Sequence, residues 1–150
     1  MPVTSVKAAW NGGDLIFTDN SGNEILKIDA SSKTIAASMV STVEHHTAID
    51  TLTKAETGSV HTNLGATGAI TITLPQDATS GCQFDFVVMA AQELRIDPGA
   101  AGAIYINGAK QTDDYYISAD DEGESVKLVA DGNGDWVSLY TTGTWTVETA

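Results

Sequence analysis

The sequence is poor in cysteine, in basic residues and in long apolar runs, and each shortage excludes a class of protein. Its single cysteine, Cys82, cannot form an intrachain disulfide, and its place in an apolar stretch predicts a small buried hydrophobe. Seven basic residues against twenty acidic ones give a formal charge of −13. Because counterion release at a phosphate backbone needs clustered Lys and Arg, neither nucleic acid nor an anionic membrane is an expected partner.

Targeting and membrane segments are also missing from the pattern. No apolar run approaches the roughly 18 residues that a membrane-spanning helix needs. The opening residues 1–7 lack the basic-then-apolar order of a signal peptide. We therefore expect a chain made in the cytosol, or assembled there.

Motifs for catalysis and cofactors are equally scarce. The chain has no glycine-rich phosphate loop with its lysine and no Gly-x-Ser-x-Gly nucleophile elbow. The paired carboxylates at 113–114 and 120–121 fall in turn-like contexts, and nothing requires them to oppose each other across a cleft as in a glycosidase. We expect no enzyme activity, no catalytic residue, no cofactor and no bound metal.

What the sequence does contain is a succession of short strands between Thr51 and Trp145. Segments such as 69–75 alternate apolar and polar side chains, and Gly, Pro, Asn and Asp clusters interrupt them every eight to fourteen residues or so. This pattern predicts an all-β fold, an antiparallel sandwich or a jelly-roll-like barrel. The expected core is Ile70, Ile72, Leu74, Phe84, Phe86, Val88, Leu94, Ile96, Ile104, Ile106, Val126, Leu128, Val137 and Leu139.

The first third of the chain predicts a separate arm. Residues 14–18 and 24–29 form two short strands around an Asn-, Asp- and Gly-rich turn, which indicates a β-hairpin. Residues 31–53 are small and polar, without clear periodicity, and are interpreted as a connector. The predicted division is an arm over 1–50 and a β-sandwich over 51–150. Since a lone hairpin is marginally stable, its apolar residues must be buried on another surface. The candidate contact residues are Leu15, Phe17, Leu26, Ile28, Ile35, Val40 and Val43.

Two further features suggest ligands but have simpler explanations. Adjacent His45 and His46 point to opposite faces of a strand and seldom share an ion, with His61 the sole further histidine, so structural or solvated histidines are expected. The segment 131–135 matches the first ligand positions of a calcium loop, yet Trp136 and Thr142 replace its required Gly and Glu. A tight turn between strands is favoured there, with a calcium ion as the alternative.

Aromatic and acidic residues in the last third leave a second alternative open. Exposed aromatic rings beside acidic groups hold sugars in many β-sandwiches, whereas Tyr and Trp also sit half-buried at protein interfaces. The interface role is favoured. The aromatic residues concerned are Tyr105, Tyr115, Tyr116, Trp136, Tyr140 and Trp145. The acidic residues are interpreted mainly as a solvated face, and they are Asp113, Asp114, Asp120, Asp121, Glu122, Glu124, Asp131 and Asp135.

The order of several segments resembles a β-domain common in tailed-bacteriophage virion proteins, preceded by the short amino-terminal hairpin seen ahead of such domains. The resemblance covers about two thirds of the chain. The hairpin segment is 13–29, and the domain segments are 51–58, 65–75, 84–88, 94–98, 126–132, Trp136 and 142–145.

The resemblance implies a role on the virion surface as a head-decoration, head-fibre or tail-fibre protein, commonly a homotrimer. A brief arm with one β-domain fits a capsid decoration protein that binds the major capsid protein and stabilises the head. The implied location is therefore the capsid surface, after synthesis in the host cytoplasm. The alternative is a receptor- or glycan-binding module of a head or tail fibre, which would use Tyr115, Tyr116 and the acidic turns to bind a host-surface glycan.

Overall fold

The computed structural model describes residues 7–11, 14–19, 21–29, 34–36 and 41–149. The chain divides into two compact units, Met1–Val40 and Ser41–Ala150. Apart from a 3₁₀ turn at Lys54–Glu56, the regular structure in these ranges consists of β-strands, which confirms the all-β prediction. Within the same ranges no helix is long and apolar enough to cross a membrane.

The first unit is a four-stranded antiparallel sheet. Its strands are β1 (Lys7–Asn11), β2 (Asp14–Thr18), β3 (Glu24–Asp29) and β4 (Thr34–Ala36), in that order. The predicted β2–β3 hairpin is confirmed at both strands. Its turn is fixed by the Asp19 carboxylate, which accepts the backbone N–H groups of Ser21 at 2.8 Å and Asn23 at 2.9 Å, while Gly22 takes φ +87°. The flanking strands escaped prediction because neither alternates apolar and polar residues.

The second unit is a sandwich of a seven-stranded and a five-stranded sheet, which confirms the predicted architecture; its described strands do not close into a barrel. In sheet order the larger sheet comprises β12 (Ala109–Lys110), β11 (Ile104–Ile106), β15 (Trp136–Thr142), β14 (Ser125–Ala130), β9 (Gln83–Val87), β7 (Val60–Thr62) and β5 (Val43–His45). The smaller sheet comprises β16 (Thr146–Val147), β13 (Ile117–Ala119), β10 (Leu94–Asp97), β8 (Ile70–Thr73) and β6 (Asp50–Thr51).

From β5 to β11 the chain alternates between the two sheets. As far as β10, each strand pairs in parallel with the preceding strand of its own sheet: β5 with β7, β7 with β9, β6 with β8, and β8 with β10. The predicted antiparallel pairing holds where β14 joins β9 and β15, where β13 joins β10 and β16, and between β11 and β12. The pair of β11 and β15 is parallel. A parallel pair needs a crossover, and here a strand of the opposite sheet supplies it in place of a helix. Residue patterns within single strands carry no information about this direction.

The boundary between the units lies at Val40/Ser41, about ten residues before the predicted division at residue 50. The segment interpreted as a connector contributes β5 and β6 to the edges of the two sheets. These strands are only three and two residues long and rely on backbone pairing, so they leave almost no apolar pattern in the sequence.

The predicted core is buried between the sheets, Cys82 included, with two exceptions on β15. Val137 and Leu139 are 36% and 61% exposed, so their assignment to the core was wrong. Trp136 points inward at the start of β15, which turns Val137 outward, and a bulge in the pairing with β14 leaves Leu139 unpaired. Core residues that the sequence analysis missed are Leu52, Ile117, Trp136 and Trp145.

Candidate functional site

The amino-terminal sheet brings together most of the predicted contact residues. Leu15 lies opposite Ile28, and Phe17 lies opposite Leu26. Ile35 of β4 in turn pairs with Ile28. Directly opposed residues of antiparallel strands belong to the same face of a sheet, so the register places these five positions on one face. We call them the amino-terminal apolar face. The side chains of Leu15, Phe17 and Leu26 are half-buried.

The other two predicted contact residues are not part of this face. Val40 lies outside the described residues. Val43 belongs to the edge strand β5 of the second unit, where its side chain is 55% exposed. Val43 therefore does not lie with the arm, and the three-residue edge strand that contains it leaves almost no pattern in the sequence.

The outer side of the seven-stranded sheet carries a second apolar surface. Register places Tyr105 beside Val137 and Val137 beside Val129, and both Tyr105 and Val137 are exposed. Tyr140 is also exposed and donates its hydroxyl proton to Asp85, which is paired with Lys127 at 2.9 Å. This hydrogen bond raises the pKa of Tyr140. The surface thus combines exposed aromatic and apolar side chains with a hydrogen-bonded charged group formed by Tyr140, Asp85 and Lys127.

The remaining predicted aromatic residues divide into two groups. Trp136 and Trp145 are buried in the core and are not available to a ligand. Tyr115 and Tyr116 are half-buried, and the Arg95 guanidinium lies 5.0 Å from the centre of the Tyr116 ring.

Most of the predicted acidic surface is exposed, but Asp135 and Glu124 hold parts of the fold together. Asp135 pairs with Lys110 at 2.7 Å and accepts the N–H of Ala103. Glu124 is buried, and its carboxylate accepts backbone N–H groups from Asp120, Asp121 and Thr144. These donors, that of Thr144 above all, lower the pKa of Glu124 because they stabilise its charged form.

Replacing Glu124 with Gln is expected to destabilise the sandwich by about 1–3 kcal/mol near neutral pH. Both carboxylate oxygens accept backbone N–H groups, so the NH₂ group of Gln would have to face N–H donors at one of the two positions. The folded-state pKa lies below the ordinary 4.5, so the stabilisation is complete above pH 4.5 and disappears as the pH falls through the folded value. Urea unfolding of E124Q and wild type at neutral and acidic pH measures the difference. The exposed Glu122→Gln is the control. A gap that persists unchanged in acid would contradict this role.

The segment 131–135 forms the turn between β14 and β15. Asp131 accepts the N–H groups of Asn133 and Asp135, and Gly132 and Gly134 take positive φ. The neighbouring Asp135 already pairs with the Lys110 ammonium, which opposes a second cation at this place. The turn interpretation accounts for all of these contacts.

The histidines occupy different environments, and two of them meet. His45 is exposed and contacts the Thr62 hydroxyl, while His46 and His61 are buried with their nearest ring nitrogens 2.9 Å apart. Burial lowers the pKa of His61 to about 4. Ser59 contacts His61 but is itself buried, so its hydroxyl is not presented to a substrate. Sequence spacing gave no signal for this pair, since parallel pairing of β5 and β7 creates it.

No protein-family model and no curated protein matches this chain. The residues and their geometry therefore provide the basis for assigning a function.

Proposed function

We propose that this chain is a structural virion protein, a capsid decoration protein that binds the outer surface of a tailed-phage head as a trimer. The observation that carries the proposal is the amino-terminal apolar face, where Phe17 and Leu26 pair on the small sheet of the first unit. A sheet of this size gains stability when such a face is covered. The resemblance of the sequence to virion-surface β-domains supplies the class of partner.

In the proposed mechanism three chains place their amino-terminal apolar faces on neighbouring capsid subunits. Each contact is small, but linked contacts add, because the second and third bind at high effective concentration. Because the chains bind the assembled shell and not its free subunits, their binding free energy stabilises the shell against the pressure of packaged DNA. The exposed acidic turns keep crowded copies from adhering to one another.

Replacing Phe17 with Asp is expected to lower occupancy on particles at least tenfold, because a buried carboxylate in an apolar contact costs well over the 1.4 kcal/mol or so that tenfold represents. Ala9→Asp is the matched control, since exposed Ala9 pairs with Ile16 and lies on the opposite face of the same sheet. Occupancy is measured by quantitative mass spectrometry on particles that lack the wild-type gene, after addition of each purified variant.

Two readouts keep this experiment decisive. Limited proteolysis reports whether the Phe17 variant still forms its amino-terminal sheet, and sedimentation equilibrium reports the trimer. Full retention of a folded Phe17→Asp variant would remove this face as the anchor. Labelled chain found on the tail, together with binding to host cells, would instead favour the fibre-type receptor or glycan module.

A further inference from the structure

Three side chains with metal-binding atoms converge where β5 meets β7. His46 and His61 are buried, and the Glu44 carboxylate lies 3.9 Å from Nδ1 of His61. The three candidate ligand atoms all lie within 4.8 Å of one another. Glu44 is opposite His61 in the parallel register, and His46 follows directly after β5.

The hydrogen bonds of His61 fix which of its nitrogens is free. Ser59 Oγ lies 2.5 Å from the carbonyl oxygen of Glu56, so the hydroxyl donates its only proton there. At 2.7 Å from the same Oγ, Nε2 of His61 must therefore be the donor. A neutral imidazole carries one ring proton, and Nδ1 of His61 is left with an open lone pair.

The same reasoning applies to His46. Its Nδ1 lies 3.2 Å from the Asp50 carboxylate, which accepts, so Nδ1 donates and Nε2 is left open. Two lone pairs then face each other at 2.9 Å beside a third acceptor, the Glu44 carboxylate. Such a group of acceptors is stable only when a cation, either a proton on one ring or a metal ion, lies among them.

We propose that Glu44, His46 and His61 bind one divalent transition-metal ion, with zinc the best match. Imidazole nitrogens and a carboxylate oxygen suit Zn²⁺, whereas Mg²⁺ and Ca²⁺ prefer oxygen alone. Tetrahedral zinc with bonds of about 2.0 Å needs its nitrogens roughly 3.3 Å apart, so the two nitrogens, now 2.9 Å apart, must move apart by about 0.4 Å, and the rings, whose centres are 5.1 Å apart, must turn until both lone pairs point at the ion.

The groups around these ligands fit the same assignment. Metal-bound histidines commonly donate their second N–H to a carboxylate or another acceptor, which orients the ring. Asp50 does this for His46, and Ser59 does it for His61. The Glu44 side chain is 43% exposed and provides the entry side for the ion, where water completes the coordination. The bound ion fastens edge strand β5, the first strand after the amino-terminal unit, to its neighbour β7.

The test uses the full chain without a histidine tag, stripped with chelator and titrated with zinc by calorimetry, with Co²⁺ absorption as a probe of tetrahedral ligands. We expect one zinc ion per chain and a higher thermal midpoint. Glu44→Gln, at a partly exposed position, is expected to weaken zinc binding by about tenfold or more, and His46→Gln to abolish it. The control His45→Gln retains binding.

Zinc binding that is equal in wild type, E44Q and H46Q would overturn the proposal. So would the absence of zinc binding together with an NMR signal for a proton shared between His46 and His61. Glu44 lies on the edge strand β5, so E44Q is expected to fold normally. Thermal unfolding in the presence of chelator checks this folding independently of zinc binding. Particle binding does not enter this experiment, so its outcome is independent of the proposed capsid role.

Discussion

Replacing Asn63 with Asp is expected to destabilise the sandwich by about 3–5 kcal/mol, because four hydrogen bonds depend on this buried amide. The Asn63 side chain is fully buried after β7. Its Nδ2 donates to the carbonyl oxygens of Ala90 and Gln92, at 2.9 and 2.8 Å. Its Oδ1 accepts the N–H groups of Met89 and Ala90, at 2.7 and 2.9 Å. Aspartate would keep the acceptor but set its second oxygen against two carbonyl oxygens.

Urea unfolding followed by tryptophan fluorescence measures the loss. Asn107→Asp is the matched control, since Asn107 is exposed in a turn, and a change within about 0.5 kcal/mol is expected there. Asn63→Ala separates the two effects, because it removes the hydrogen bonds without adding a charge. If N63D unfolds within about 1 kcal/mol of wild type, the amide does not hold the 89–92 connection in the way described.

Replacing Trp136 with Ala is expected to cost about 3–5 kcal/mol through lost burial and the cavity left behind. Trp136 is 1% exposed, and its ring centre lies 5.8 Å from that of Phe84. Trp136 is the first residue of β15, and its backbone N–H donates to the carbonyl oxygen of Ala103 at 2.8 Å. This bond holds the residue at the junction of β11 and β15.

Leu139→Ala on the same strand provides the comparison. Leu139 is apolar and was predicted to be in the core, yet it is exposed, so its truncation is expected to cost less than about 0.5 kcal/mol. Thermal and urea unfolding of both variants tests the contrast. Equal destabilisation by W136A and L139A would mean that the register of β15 differs from the one described.

Sequence reasoning succeeded where the determinant is local. The turn residues Asp19 and Gly22 and the alternation around them were sufficient to place β2 and β3. It failed where partners are distant in sequence. The bulge opposite Leu139 depends on pairing with β14, which no pattern within β15 reveals. The meeting of His46 and His61 likewise requires knowing that β5 and β7 run in parallel.

The alternation of strands between the sheets also has a consequence for how the second unit assembles. Each new strand from β7 to β10 joins a neighbour that is separated from it by a single intervening strand. Loop-closure entropy rises with the length of chain enclosed, so this half of the sandwich can be wound stepwise at modest entropic cost. The pairing of β9 with β14 encloses a much longer segment of chain. We therefore expect this pair to form late in folding, after the strands from β5 to β10 have paired.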